Sequence, residues 1–166
     1  MTTYNGRMMV RMKIILKILL LVLLLALAYG FFRTWKTGRS PKYEFFAVGT
    51  VPLEMPKGLY HGSVEELGEV SWKGKKFNGD RTGINLFEGD GKSEEKYAFR
   101  FFPAKSLRGD LQVLRIDYDQ PGNPLWLRFI VDEIVSVAPE QFIGAVYINL
   151  LPGLRFRMGY FRLEKA

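Results

Sequence analysis

The side chains that could carry out chemistry in this 166-residue chain are few and scattered. There is no cysteine, which excludes thiol nucleophiles, disulfides, zinc–thiolate sites and iron–sulfur clusters. The single histidine, His61, has no partner at the spacing of a metal site or a catalytic triad, so we expect it to be structural or exposed. No GxSxG, HExxH, P-loop or dinucleotide-binding motif is present. The sequence therefore indicates no catalytic residue, no metal ion and no cofactor, and it favours a role other than an enzyme.

Two groups of carboxylates are the remaining candidates for a polar site. The stretch 117–123 begins like a calcium-binding loop, but its fifth position is Pro121 and its twelfth is Arg128, so we interpret it as a turn stabilised by aspartate side chains. Asp132 and Glu133 are adjacent in a predicted strand, and one of them must point inward. A buried carboxylate needs a partner, either an inward arginine or the polar head of a ligand. We place Glu133 in the predicted interior, with Asp132 as the open alternative.

Bulky apolar side chains recur at every second position in several segments, as in half-buried strands. We expect these rows to fill the interior of a barrel or to line a cavity for an apolar ligand. The predicted interior residues are Trp72, Tyr97, Phe99, Phe101, Leu114, Ile116, Tyr118, Glu133, Phe156, Met158 and Tyr160. Arg155 and Arg157 alternate with the last row and are expected in water, and Lys73, Lys75 and Lys76 are interpreted as a solvated strand face.

Turn residues at close spacing divide the second part of the chain into about nine predicted strands. Asn78-Gly79 is a strong hairpin signal, and Asn123-Pro124 favours a short helix. The fold class predicted is mainly β, an antiparallel lipocalin-like barrel of eight to nine strands preceded by one transmembrane helix, with a two-sheet sandwich as the alternative. The predicted strands are 45–51, 59–64, 70–77, 81–87, 96–103, 112–118, 132–137, 141–149 and 154–163.

The net charge of +7 belongs to the N-terminal part of the chain. Residues 1–42 hold eight basic side chains and no acid, whereas residues 43–166 hold 16 basic and 17 acidic ones, a balance of −1. A nucleic-acid-binding domain carries its lysines and arginines on the folded module, so nucleic acid is not expected as a partner. The 19 residues from Ile14 to Phe32 contain Lys17 as their only charge and are long enough to cross a lipid bilayer.

This apolar segment has two interpretations. Ala26-Leu27-Ala28 has the small-x-small pattern of a signal-peptidase site, but the apolar residues continue beyond it to Phe32, which favours a retained anchor. The expected organisation is a short basic N-terminus (1–13), a transmembrane helix or signal anchor (14–32), a linker (33–43) and a β-barrel domain (44–166). Four basic residues precede the apolar centre of the segment and four follow it, and we place the domain on the outer, periplasmic side of the cytoplasmic (inner) membrane, with a single span.

The stretch Trp72-Lys73-Gly74-Lys75-Lys76-Phe77 resembles the opening strand of lipocalin-like (calycin) barrels and of bacterial domains named for a GXWXG motif. Asp117-Tyr118, Asp132-Glu133, Ile143-Gly144 and the closing stretch 159–163 are similar to the companion domain of the GXWXG proteins. Val70 replaces the first glycine of the motif. The resemblance covers about residues 59–164. It implies a barrel that holds a hydrophobic small molecule, and it carries over no catalytic residue.

These observations lead to one functional hypothesis and one alternative. The first is a membrane-anchored lipocalin-like domain that binds a lipid or other hydrophobic small molecule, with the lipid membrane as its partner. The alternative is a structural or protein-interaction module of the cell envelope, with a filled barrel and no ligand. A cavity inside the barrel would distinguish the two, and the sequence indicates no particular protein partner.

Overall fold

The computed structural model describes residues 2–64 and 70–166, with side chains from residue 8 onward. Residue 1 of the predicted N-terminus and residues 65–69 of the predicted barrel domain lie outside the described residues. Two helices come first, and eight strands follow within the described part, with one 3-10 helix at Leu127–Phe129. The elements are α1 (Thr2–Thr37), α2 (Pro41–Val48), β1 (Gly58–Ser63), β2 (Trp72–Phe77), β3 (Thr82–Gly89), β4 (Lys92–Lys105), β5 (Gln112–Asp117), β6 (Ile130–Ala138), β7 (Gln141–Leu151) and β8 (Leu154–Lys165).

The eight strands form one closed antiparallel barrel in which each strand pairs with its neighbours in sequence. β8 returns to β1 through the pairs from Ser63↔Arg162 to Tyr60↔Lys165, which closes the barrel. The predicted fold class is therefore confirmed: a mainly β chain with a closed barrel after a long apolar helix. Closure leaves no open sheet edge along the paired strands, and it encloses an interior.

The predicted first strand, 45–51, is wrong, because these residues belong mostly to α2. Ser40 caps α2 by accepting the backbone N–H of Lys42 at 3.3 Å, and Pro41 occupies the first turn, where its missing N–H is tolerated. Only Thr50 pairs with the sheet, through an isolated bridge to Ser136. The residues expected to form a linker, 33–43, are likewise largely helical. Because 45–51 is not a strand, the described residues form eight strands where nine were predicted.

Two separate apolar clusters lie on the two faces of the sheet. The inner cluster fills the end of the barrel where β1 begins, and edge-to-face aromatic contacts hold it together, among them Tyr60–Phe77 at 5.4 Å and Phe77–Phe101 at 5.1 Å between ring centroids. The outer cluster lies between the sheet and the segments that cover it, with Phe46 of α2 against Tyr160 of β8 at 5.9 Å. One end of the barrel interior is thus filled with packed side chains, and the opposite end is filled less densely.

Helix α1 carries a 30-residue candidate membrane span, Met8–Thr37, and 6% of its apolar 18-residue stretch is buried. Its last two turns dock on the first half of β8. The Thr34 hydroxyl accepts the N–H of Arg157 at 3.0 Å, the Thr37 hydroxyl accepts the Arg157 Nε–H at 3.1 Å, and the Arg33 Nε–H donates to the carbonyl of Met158 at 3.0 Å. Thr34 and Arg33 thereby satisfy the Arg157 N–H and the Met158 carbonyl, which lie outside the part of β8 that pairs with β1. The apolar helix and the barrel therefore form one packed unit.

The predicted inward row of β8 is wrong at Tyr160, which belongs to the outer cluster. Phe161 and Leu163 belong to the inner cluster, whereas Phe156 packs against Phe31 of α1 with ring centroids 5.2 Å apart. Arg157, expected in water, is buried at 6% exposure. The reason is a bulge: Val146 pairs with Gly159 but Tyr147 pairs with Arg157, so Met158 is an extra residue that breaks the alternation.

Candidate functional site

The less densely filled end of the barrel contains a cavity of about 670 Å3. Apolar and aromatic side chains form its walls, including Val64, Trp72, Phe87, Tyr97, Ile130 and Val146. Tyr29 and Arg33 of α1 and Trp126 of the β5–β6 connection border its mouth. Its volume is within the range of small-molecule sites in proteins.

Four polar side chains, three from the strands β2, β3 and β6 and one from the residue that follows β5, meet at the floor of this cavity. Lys75 Nζ lies 2.9 Å from Asp132 Oδ2 and 2.8 Å from Asn85 Oδ1, and it also contacts the Tyr118 hydroxyl. The Tyr118 hydroxyl donates to Asp132 Oδ2 at 2.8 Å. Trp72 adds its indole N–H to Asn85 Oδ1 at 3.1 Å. We call Lys75, Asn85, Tyr118 and Asp132 the floor cluster.

The floor cluster is buried among aromatic rings. Lys75 is 2% exposed, and its ammonium lies 5.1–5.4 Å from the ring centroids of Trp72, Phe99, Tyr118 and Phe161. Burial lowers the pKa of Lys75 below its ordinary value, while the charge and hydrogen bond of Asp132 oppose that shift. Burial also raises the pKa of Tyr118 well above its ordinary value, and the neighbouring Asp132 adds to the effect. The phenol therefore stays protonated and acts as a hydrogen-bond donor.

The electrostatics of the floor cluster limit what it can do. One ammonium faces one carboxylate, so the cluster carries no net charge when both are ionised. The three N–H groups of Lys75 already have three acceptors, namely Asn85, Tyr118 and Asp132. A paired amine of this kind is not free to act as a nucleophile. The cluster is suited to hydrogen bonding an uncharged oxygen atom of a bound molecule, by exchange of one internal partner.

Irregularities in three strands position the floor cluster and its walls. Tyr97 is an extra residue between the pairs Ile84↔Ala98 and Asn85↔Lys96, and it has a φ of 64°, which is unusual for a bulky residue. This bulge aims the Tyr97 carbonyl at the amide of Asn85, which donates to it at 3.0 Å. The bond fixes which end of the amide faces Lys75. The Asn85 oxygen is thereby oriented toward the ammonium.

A second bulge lies in β2. Trp72 pairs with Phe87 and Gly74 with Leu86, so Lys73 is the extra residue. The bulge shifts the alternation, which brings Trp72 and Lys75 to the same interior although they are three positions apart. Gly74 has a φ of 145°, and a Cβ there would lie 2.0 Å from the carbonyl oxygen of Tyr60. Glycine is therefore required where β2 passes close to β1.

Most of the predicted interior residues lie inside the barrel, but they divide into two groups. Phe99, Phe101, Leu114 and Ile116 belong to the packed end, where they are at most 1% exposed. The remaining inward residues border the cavity, namely Trp72, Tyr97 and Tyr118, with Met158 at its mouth. Tyr160 also borders it, but its ring packs outside against Phe46.

Glu133 is not an interior residue, and the open alternative Asp132 takes that position. Asp132 pairs with Ile116, an inner-cluster residue, while Glu133 pairs with Arg115 on the outer face. Glu133 is fully buried because the β4–β5 connection covers it: Ser106 Oγ and the Leu107 N–H each donate to its carboxylate at 2.6 Å. Burial raises the pKa of Glu133, and these two hydrogen bonds and the charge of Arg115 oppose the rise. Its role is to hold this connection against the barrel.

Sequence reasoning missed Lys75 and Asn85. Lys73 and Lys76 are exposed and pair with Glu88 and Glu95 at 3.4 and 2.9 Å, as expected of a solvated strand face. These neighbours therefore gave no indication that Lys75 points inward. The Asp117 turn is as expected, since its carboxylate accepts the N–H of Asp119 at 2.9 Å. Among residues 2–64 and 70–166 there is no group of three or more His, Asp or Glu side chains placed to hold a metal ion.

A second concavity, of about 630 Å3, lies at the opposite end of the barrel. It is formed by the segment 50–57 against the β6–β7 turn and includes the charged side chains of Glu54, Lys57, Glu140 and Lys165. Leu53 on its rim is fully exposed. No buried polar cluster lies in it, among the described residues, so the cavity above the floor cluster is the stronger candidate site.

Comparisons with known proteins agree with the fold. No protein-family model matches the sequence, and no curated protein matches it. Among solved structures, the chain is similar to the crystal structure of a protein from Thermomonospora curvata, with a TM-score of 0.56 and 20% sequence identity. The match covers 75% of this chain and 84% of that one. At this identity the likeness shows the fold alone. The chain is therefore defined by its architecture: a closed eight-stranded antiparallel barrel attached to a long apolar helix.

Proposed function

We propose that this chain is a membrane-anchored, lipocalin-like barrel that binds a lipid or other hydrophobic small molecule. The observation that carries the proposal is the cavity of about 670 Å3 above the floor cluster. Apolar walls favour an apolar body, and a floor with donors and acceptors but no net charge favours an uncharged polar end, such as a hydroxyl or a carbonyl. A free carboxylate or phosphate at that depth would be left without a counter-charge.

The anchor is the second part of the proposal. The segment Met8–Thr37 is one uninterrupted helix, and it continues nine residues past the possible cleavage point at Ala28. Before the turns that dock on β8, its side chains from Met8 to Tyr29 are almost entirely exposed, which suits contact with lipid and not a soluble core. Retention predicts that the full-length protein stays in the membrane fraction after a carbonate wash. A mature N-terminus at Tyr29 in the soluble fraction would overturn this part.

The orientation is proposed from the sequence: the barrel lies on the outer side of the cytoplasmic membrane. Protease added to intact spheroplasts should then digest the barrel while cytoplasmic controls survive. Protection of the barrel until the cells are lysed would reverse the orientation without affecting the binding proposal.

Ligand binding is tested by filling the cavity. In nanodiscs, a dansyl-labelled fatty alcohol should bind the barrel and accept energy from Trp72 at the cavity wall. Val146→Trp adds volume inside the cavity and should weaken binding by at least about tenfold with the fold intact, because the ring occupies ligand space. Val137→Trp is the matched control, since Val137 is exposed at the opposite end of the barrel and should bind as the wild type does.

The alternative function, an envelope interaction module without a ligand, predicts a different outcome. The packed end of the barrel and the internally paired floor cluster favour it. In that case no dansyl probe binds above the background of the control, and mass spectrometry of an organic extract finds no stoichiometric lipid. The same extract from a ligand-binding barrel should contain about one molecule per chain, and fewer from Val146→Trp.

A further inference from the structure

The barrel carries a set of exposed apolar side chains that the binding proposal does not use. They lie at its open end, in the β7–β8 turn and in the β5–β6 connection. Leu151 is 63% exposed, Leu125 71% and Trp126 60%. Exposed apolar residues grouped at one end of a domain mark a contact with another apolar surface. Their position relative to α1 identifies that surface.

The contacts between α1 and β8 fix the direction in which the β7–β8 turn points. Phe156 lies against Gly30 and Phe31, while the following residue, Arg157, lies beside Thr34 and Thr37. The step from Phe156 to Arg157 along β8 therefore runs in the same direction as α1 does toward Thr37. That direction is away from the apolar part of α1. Going back along β8 from Phe156 leads toward that apolar part, and the turn lies about 10–15 Å further on at 3.3 Å per residue.

The β7–β8 turn has the composition of a membrane-inserting tip. The stretch 148–154 reads Ile-Asn-Leu-Leu-Pro-Gly-Leu and contains no charged residue. On the other side of the mouth, Leu125 and Trp126 are adjacent and exposed, and tryptophan is enriched at membrane–water interfaces. Trp126 borders the opening that Tyr29 of the apolar helix also borders, and Met158 of β8, the strand that follows the β7–β8 turn, borders it as well.

A third described segment at this end of the barrel is polar. The β3–β4 turn is at the same end of the barrel, and residues 88–96 contain four acidic and two basic side chains. By contrast, the part of the chain that leaves the apolar segment is basic, with Arg33, Lys36 and Arg39. Basic residues favour anionic headgroups and acidic ones avoid them. Of these three described segments, the β5–β6 connection and the β7–β8 turn are thus the ones suited to lipid.

We propose that the β7–β8 turn and the Leu125-Trp126 pair form a lip that dips into the bilayer surface beside α1, so that the mouth of the barrel opens onto lipid. The partner is the bilayer itself. This inference rests on the proposed anchoring of α1, but it does not depend on whether the cavity holds a ligand. A ligand of the bilayer would reach the cavity between Tyr29 and Trp126 without passing through water.

The test uses the full chain, which has no native cysteine, with one cysteine added at a time. Leu151→Cys and Leu125→Cys report the lip, and Ser93→Cys in the β3–β4 hairpin is the matched control. Each is labelled with an NBD fluorophore and placed in vesicles of phosphatidylcholine with a minority of phosphatidylglycerol. Co-flotation with the vesicles first confirms that α1 is inserted, so failure of the anchor is seen separately.

The lip should give blue-shifted NBD emission at positions 151 and 125. Quenching by nitroxide-labelled lipid should be at least about twofold stronger there than at position 93, because interfacial groups lie about 5–10 Å into the headgroup and acyl boundary. Vesicle-inserted protein in which all three positions show the same water-like emission and weak quenching would overturn the lip. Strong quenching at position 93 with none at 151 would also overturn it, since the barrel would then be tilted the opposite way.

Discussion

The floor cluster provides the sharpest test of the structure, because breaking its ion pair should be far more costly than removing the pair altogether. Lys75→Met deletes the ammonium and leaves Asp132 buried without its cation. The two charged atoms are 2.9 Å apart, so their gross attraction is roughly 6 kcal/mol at an effective dielectric constant of about 20. Desolvation of both groups offsets much of this in the wild type, but the orphaned carboxylate still carries its own desolvation cost. The expected loss is about 3–5 kcal/mol.

The double variant Lys75→Met/Asp132→Asn separates the two effects. It removes both charges, keeps an acceptor for the Tyr118 hydroxyl, and should lie within about 1–2 kcal/mol of the wild type. Lys76→Met is the matched control one residue away. Its side chain is 47% exposed and pairs with Glu95 on the surface, so its effect should stay within about 0.5 kcal/mol.

The assay is urea unfolding of the full chain in detergent, with the free energy of unfolding taken by linear extrapolation. Tryptophan emission reports the transition, since the Trp72 ring lies 5.4 Å from the Lys75 ammonium. If Lys75→Met were no more destabilising than Lys76→Met, the cluster could not be a dry ion pair. A double variant as unstable as the single one would mean that the polar network is essential in itself.

Three further predictions concern the outer face and the barrel wall. Burial raises the pKa of Glu133, so the wild type should lose stability as the pH rises from the ordinary glutamate value through the raised one, while Glu133→Gln should show a flatter curve over that range in parallel urea titrations. Gly144→Ala should cost about 1–3 kcal/mol in the same assay, because its Cβ would lie 2.0 Å from the Phe161 ring; an unchanged midpoint would refute that packing. Arg157→Ala should cost about 1–3 kcal/mol and loosen α1 from the barrel, seen as faster proteolysis near Thr37, whereas a fully exposed arginine would show neither effect.

Local sequence patterns were sufficient for the elements of this fold. The apolar run from Ile14 to Phe32 and the turn signals between alternating segments depend only on neighbouring residues, and they predicted the long helix and the strands β1 to β8. The same patterns failed at 45–51, where Ser40 and Pro41 start a helix. An apolar segment of this length can form either a strand or one buried side of a short helix. Here the helix cap determines which of the two forms.

The faces of the strands were harder to predict, because bulges shift the alternation by one residue. Strict alternation from Trp72 points Lys75 outward, and the bulge at Lys73 turns it inward. In β8 the extra residue Met158 has the same effect and moves the inward row to Phe161 and Leu163. A bulge depends on the partner strand, so its position is not visible in the residues of one strand alone.

The bulges of β2, β4 and β8 all occur toward the end of the barrel that holds the cavity, and the residues that sequence reasoning missed are the ones they place there. Lys73, Tyr97 and Met158 are the extra residues. The bulge at Lys73 brings the Lys75 ammonium to the cavity floor and the bulge at Tyr97 orients Asn85, which regular strands would not do. A buried ion pair is weak support for stability compared with apolar packing, and the other half of the same barrel is packed with aromatic rings instead. The irregular strands and the neutral polar floor therefore support the proposal that the barrel binds a molecule with an uncharged oxygen at its inner end.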